Sequence, residues 1–139
     1  MYASAFVDTS AWYALIDRKD FHHPTITALV GELVKGATRL VTTDYVIDES
    51  CTLAKARSGS TMAFRLLDLV HATAALDLEW IGGDRFDRAE RELRKYDDPS
   101  FSFTDCTSFT VMRELGITDV ITTDQHFRIA GFEVLPDRG

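Results

Sequence analysis

The sequence predicts an α/β fold, a three-layer α/β/α sandwich built on a mainly parallel sheet. Three observations predict it. Short apolar runs alternate with amphipathic helical stretches, the pattern of strands joined by helical crossovers. No repeat, low-complexity segment or long linker interrupts the alternation. At 139 residues, 45% of them apolar, the chain is long enough for one sizeable core, and residues 1–139 read as a single domain.

Residues 6–10, FVDTS, open as a short apolar strand, and residues 9–20 continue as a helix with Thr9 or Ser10 near its N-cap. In residues 24–35, Ile26, Leu29, Val30 and Leu33 recur at helical spacing, and Gly36 closes the helix. Residues 39–43, RLVTT, form the second strand. Asp44 is placed to cap the next helix, residues 45–59, whose inner face is Val46, Ile47, Cys51 and Ala54. Another helix starts at Ser60. Residues 78–83, LEWIGG, read as a strand with a glycine stop.

Residues 84–97 form a charged helix with a narrow stripe of Phe86, Ala89, Leu93 and Tyr96. The Asp97-Asp98-Pro99 run ends it, since proline disfavours helix in the residue before it. Ser102 and Asp105 then fit the capping box of a helix running to Leu115-Gly116. Residues 119–124, DVITTD, form a strand, 124–130 a short helical turn and 132–136 a final short strand.

Composition narrows the function. No run of about 18 apolar residues appears, so no transmembrane helix is expected. The N-terminus lacks the basic start and apolar core of a signal peptide, so a cytoplasmic location is expected. Cys51 and Cys106 are too few and too distant for a metal framework, and both read as buried small apolar side chains. The net charge of −7 excludes a protein that simply coats nucleic acid, which would be basic.

In a parallel α/β sheet, ligands gather beyond the carboxyl ends of the strands, near the point where strand order reverses. Asp8 and Asp124 lie at such strand ends, and Glu49 and Asp105 near the starts of helices that follow. Four carboxylates brought together repel, and each raises the others' pKa. A divalent cation removes that conflict; Mg²⁺ and Mn²⁺ prefer carboxylate and water oxygens. Phosphodiester cleavage uses such a site, because the cation activates water and stabilises the leaving oxygen.

The segments FVDTSAW, YVIDESCTLAKAR, FSFTDCTSFTVMRELGI and DVITTDQHFRIAGFEVLP, in this order, resemble a PIN-domain ribonuclease, specifically a VapC-type toxin of a toxin–antitoxin pair. The resemblance covers nearly the whole chain. It implies a PIN-like fold and four catalytic, metal-binding acids at Asp8, Glu49, Asp105 and Asp124. Glu49 is favoured over its neighbour Asp48 by the resemblance alone. It further implies a Mg²⁺-dependent endoribonuclease, with Mn²⁺ an alternative, leaving 5′-phosphate and 3′-hydroxyl ends. Transfer RNA and ribosomal RNA are the family's usual substrates, and the implied partners are a cognate VapB-type antitoxin and a second copy in a homodimer. Gln125 stands where the family often has arginine.

Other readings stay open at this point. Asp105 also serves as the N3 residue of the capping box, and Asp124 as a turn acid. Thr9 and Ser10 are placed to orient Asp8. His126 is the histidine nearest the proposed site, yet reads first as a packing residue. The arginines at 85, 88, 91 and 94, with Lys95, interleave with acids as a salt-bridged solvated face, with RNA phosphate contact the alternative. Trp12, Tyr13, Leu15 and Ile16 offer apolar surface for a dimer or antitoxin, or else core. A signalling receiver domain would want an acidic pair after the first strand and a late lysine, and an aspartyl phosphatase a second acid at position 10. The chain has neither. An inactive scaffold of the same family is the remaining alternative.

Overall fold

The computed structural model describes residues 3–137. Five strands, β1 (Ser4–Val7), β2 (Arg39–Thr43), β3 (Leu76–Glu79), β4 (Asp119–Ile121) and β5 (Glu133–Leu135), form one sheet in the order β3-β2-β1-β4-β5. Every neighbouring pair is parallel, with Phe6 opposite Val41 on one side and Val120 on the other. The central strands are buried on both faces, which explains why Ala5, Phe6 and Val7 form a continuous apolar run.

Among the described residues, seven helices connect the strands: α1 (Thr9–Ile16), α2 (His23–Lys35), α3 (Asp44–Ser58), α4 (Ser60–Ala72), α5 (Gly82–Tyr96), α6 (Phe103–Leu115) and the single turn α7 (His126–Ile129). The chain steps from β1 to β2 to β3 in one direction, then returns past β1 to β4. Right-handed crossovers therefore place α1–α4 on one face and α5–α6 on the other. Helix α1 packs on α2, α3 and α4, and α5 on α6, while α3 also meets α6. The switch point lies between β1 and β4.

Several boundaries differ from the sequence expectation, each for a local reason. Strand β1 ends at Val7, and Asp8, rather than Thr9 or Ser10, occupies the N-cap position of α1. Helix α1 stops at Ile16 because Asp17 turns the chain, its carboxylate accepting from the Lys19 N–H at 2.9 Å and the Tyr13 hydroxyl at 2.8 Å. Thr43, not Asp44, caps α3: its hydroxyl accepts from Val46 N at 3.1 Å. The Asp44 carboxylate instead accepts from Ile81 N at 2.9 Å, which ties the exit of β3 to the start of α3. That tie accounts for β3 ending at Glu79 rather than running through Trp80 and Ile81. Strand β4 also stops early, leaving Thr122 to Asp124 beyond the sheet.

The capping box at Ser102 and Asp105 forms as expected. Ser102 Oγ accepts from Asp105 N at 3.0 Å, and Asp105 Oδ2 accepts from Ser102 N at 2.9 Å. Gly116 closes α6 with φ of 69°, a left-handed conformation that glycine adopts without a Cβ clash. Trp12, Tyr13 and Ile16 are buried and Leu15 is half-buried, so that stripe is core rather than open surface. Trp12 Nε1 donates to Thr42 Oγ1 at 3.2 Å. Exposed large apolar side chains lie elsewhere, at Phe21, Phe64, Trp80 and Ile129.

Cys106 is fully buried and Cys51 half-buried; neither is in a disulfide. Burial pushes the Cys106 thiol up to about 11, with the Asp105 charge adding to it, so it stays neutral. On α5, Arg85 bonds Glu79 and Glu114, Arg88 bonds Glu114, and Arg94 bonds Glu90. These contacts match the salt-bridged reading of that face.

Candidate active site

The stretch 100–109, SFSFTDCTSF, places one carboxylate inside an aromatic run, and the fold shows how the two coexist. Phe101 and Phe109 pack against each other at 5.1 Å, with Tyr96, Phe127 and Phe132 around them. Phe103 turns the other way, onto Phe86 and Tyr45. Between these anchors the first turn of α6 is fixed, and Asp105 faces a cavity at the carboxyl edge of the sheet.

That cavity has a volume of about 410 Å³ and is walled by Asp8, Glu49, Asp105 and Asp124, all four of the predicted acids. Asp8 arrives from the end of β1 and Asp124 from beyond β4, the two sides of the switch point. Glu49 comes from the second turn of α3 and Asp105 from the first of α6, and these two helices touch. Residues separated by more than a hundred positions thus meet because parallel strands share one carboxyl edge.

Hydroxyl groups hold the acids. Thr122 Oγ1 donates to Asp8 Oδ2 at 2.9 Å and accepts from Asp124 N at 3.1 Å. Its single proton is committed to Asp8, so Ser10, 3.0 Å away, donates to Thr122 while accepting from Thr123 N at 2.9 Å. Ser10 therefore reaches Asp8 only through Thr122. Thr9 serves a different acid than expected, donating to Glu49 Oε1 at 2.6 Å. Asp105 Oδ2, besides its cap bond, lies 3.3 Å from His126 Nε2. The His126 ring stacks on Phe127, so this residue both packs and lines the cavity.

Asp8 carries the electrostatic strain. It is 3% exposed. Burial pushes its carboxyl from the ordinary 3.8 up to about 7, the Asp105 charge adds to this and Asp124 adds less, while the Thr9 N–H and the Thr122 hydroxyl oppose it. Because the folded protein holds this proton more tightly than the unfolded chain, stability from Asp8 is full below about pH 4. It falls as pH rises through about 7, by on the order of 4 kcal/mol. Thermal melts of the metal-free protein should show Tm declining between pH 5 and 8; a flat profile would contradict the burial and like-charge account of Asp8.

The four carboxylates offer oxygen donors, which suit a hard cation, while His22 and His126 also line the cavity. Among the described residues, no group of three or more His, Cys, Asp or Glu side chains is placed to hold a metal ion. The carboxylates wall an open cavity instead, which fits a cation that keeps several of its waters, as Mg²⁺ does. Glu49 and Asp105 each have an oxygen anchored within the protein.

Sequence reasoning missed several residues of the cavity wall: Tyr13, Asp20, His22, Leu53 and Arg57. It also missed Thr122. The signal for Thr122 was present, since a hydroxyl residue between a strand end and a candidate acid is well placed to orient carboxylates. Arg57, at the far end of a helix, left no such signal.

An all-parallel sheet with carboxylates gathered at its switch point defines a class, the α/β proteins with an acidic carboxyl edge. The chain belongs to the PIN domain family, whose model matches residues 5–133, and within it is a VapC-family endoribonuclease of the toxin–antitoxin type. It is 33% identical over 133 residues to the 23S rRNA-specific endonuclease VapC20 of Mycobacterium tuberculosis, covering 95% of this chain and 98% of that protein. The crystal structure of VapC20, described as a Sarcin-Ricin loop cleaving toxin, superposes with a TM-score of 0.83 at 31% identity, over 92% of this chain and 95% of that one. A VapC ribonuclease of Archaeoglobus fulgidus is 29% identical over 130 residues, 91% of this chain and 80% of that one. VapBC2 from Rickettsia felis, solved bound to a promoter DNA fragment, shares the fold at 11% identity and a TM-score of 0.68, over 94% of this chain and 96% of that one.

Proposed function

We propose that this chain is a Mg²⁺- or Mn²⁺-dependent endoribonuclease toxin that cuts ribosomal RNA, with Asp8, Glu49, Asp105 and Asp124 as its catalytic, cation-holding residues. The observation that carries the reading is the convergence of these four acids on one cavity, where Asp8 cannot ionise at its ordinary pH. A divalent cation held by these acids would stabilise the ionised form of Asp8 and would supply water activation and stabilisation of the leaving oxygen.

The chain's own residues prepare that chemistry. Thr122 fixes one oxygen of Asp8, and the Ser102 N–H fixes one oxygen of Asp105. Thr9 restrains Glu49 from the opposite wall. Rigid carboxylates of this kind position an ion without reorganising during the reaction.

The ribosomal substrate rests on the likeness to VapC20, whose name gives 23S rRNA as its target. The same family membership supports a VapB-type antitoxin partner, a homodimer and a cytoplasmic site of action. Within the described residues no helix is long and apolar enough to cross a membrane.

Incubating purified protein with ribosomes and sequencing the new RNA ends tests the proposal. Discrete cuts in 23S rRNA bearing 5′-phosphates are expected with Mg²⁺ or Mn²⁺, and none in excess EDTA. Full cleavage in EDTA would refute the cation; cuts confined to transfer RNA would refute the ribosomal substrate.

A further inference from the structure

Among the described residues one arginine, Arg57, walls the acidic cavity, and its situation differs from that of every acid around it. Arg57 lies in the last turn of α3, with its guanidinium carbon 5.1 Å from the centroid of the Tyr13 ring. Tyr13 is itself fixed, its ring buried and its hydroxyl bonded at 2.8 Å both to Asp17 and to Ser58. Among the described residues Arg57 makes no salt bridge, although Asp20 and Glu49 line the same cavity.

A cation in the last turn of a helix is favoured by the helix dipole, which accounts for a positive charge at this place in α3. It does not account for a guanidinium stacked on an immobilised ring in the wall of the cavity. The cation–π contact seats the guanidinium beside the ring, and among the described residues no hydrogen bond or salt bridge engages its five N–H donors. A fork of donors without a carboxylate partner fits a phosphate oxygen pair.

We propose that Arg57, held on Tyr13, is the anchor for a backbone phosphate of the RNA strand, next to the phosphate being cut. This rests on the endoribonuclease reading. The cavity then has two parts: the acids with their cation take the scissile phosphate, and Arg57 takes a neighbour and sets the register of the strand across them. The contact is to the backbone, so it contributes to affinity and positioning and not to the choice of base.

Steady-state cleavage of a single-stranded RNA that the wild-type protein cuts, measured over a series of salt concentrations, tests the role. Arg57→Ala is expected to raise KM roughly tenfold or more, with a much smaller change in kcat, and to flatten the slope of log KM against log salt by about 0.7, the loss of one phosphate contact. Arg57→Lys should recover the salt slope while recovering only part of KM, because lysine lacks the planar fork. Tyr13→Leu, which removes the ring under the guanidinium, should shift KM in the same direction as Arg57→Ala. Mn²⁺ affinity measured by calorimetry should be the same in Arg57→Ala as in the wild type.

If the wild type cuts while Arg57→Ala keeps its KM and salt slope, the anchor is overturned and the nuclease reading stands. Weakened Mn²⁺ binding in Arg57→Ala would also overturn it, by placing Arg57 in the cation site. If the wild type cuts no RNA, both fall.

Discussion

Asp8→Asn is expected to cut RNA cleavage by on the order of a thousandfold or more, while making the metal-free protein more stable at pH 8. The two effects have one cause. Asp8 sits buried beside Asp105, with Asp124 also near, and at pH 8 it is forced to carry a charge that burial and its neighbours oppose. Asparagine keeps the shape and can still accept from Thr122 Oγ1, but carries no charge. The gain should approach the several kcal/mol by which ionised Asp8 destabilises the fold. It should shrink below pH 5, where wild-type Asp8 is already protonated, and shrink again when Mg²⁺ or Mn²⁺ stabilises the wild type. Melting both proteins at pH 5 and 8, with and without metal, reads all four cases. Equal stability at pH 8 without metal would mean that Asp8 is not under the stress its surroundings impose.

Phe109→Ala carries the largest expected loss of stability. Its ring is fully buried and meets Phe101, Phe127 and Phe132 at 5.1, 5.2 and 5.6 Å. The guanidinium of Arg113 lies over it at 5.8 Å. Removing it leaves a cavity that α6, α7 and the start of β5 cannot all close, at a cost of about 3–5 kcal/mol. Tm should fall by roughly 10 °C or more. Phe109→Leu, which keeps most of the volume, should cost much less. The same cluster holds His126 and the first turn of α6 against the site, so activity should decline before the protein unfolds. A small loss of Tm in Phe109→Ala would show that the cluster is not the keystone of this side of the sheet.

The parts of this molecule that were legible in the sequence follow from period and chemistry. Strands as short as β1 and β4 are readable because buried parallel strands are largely apolar, and the Ser102–Asp105 box announces its helix. Boundaries were less legible where a side chain from far away decides them. Asp44 looks like a cap for α3, but its partner, Ile81 N, lies 37 residues on, so Thr43 caps instead. The four acids could be picked out from their places at strand ends and helix starts, with the family resemblance needed to choose Glu49 over Asp48. Their supports could not. Thr9 looked local to Asp8 and serves Glu49, 40 residues away. The Trp12 stripe on α1 was readable as apolar, but only its packing against the sheet shows that it is interior.

Asp8, Glu49, Asp105 and Asp124 are proposed to share a bound cation. Calorimetric titration of Mn²⁺ into the wild type, Asp8→Asn, Asp105→Asn and the double variant at pH 8 tests it most directly. Each single substitution should weaken binding about tenfold or more, and the double variant should lose little beyond the worse single, as expected for ligands of one centre. Wild-type affinity retained in both single variants, or full additivity of two separate losses, would contradict it.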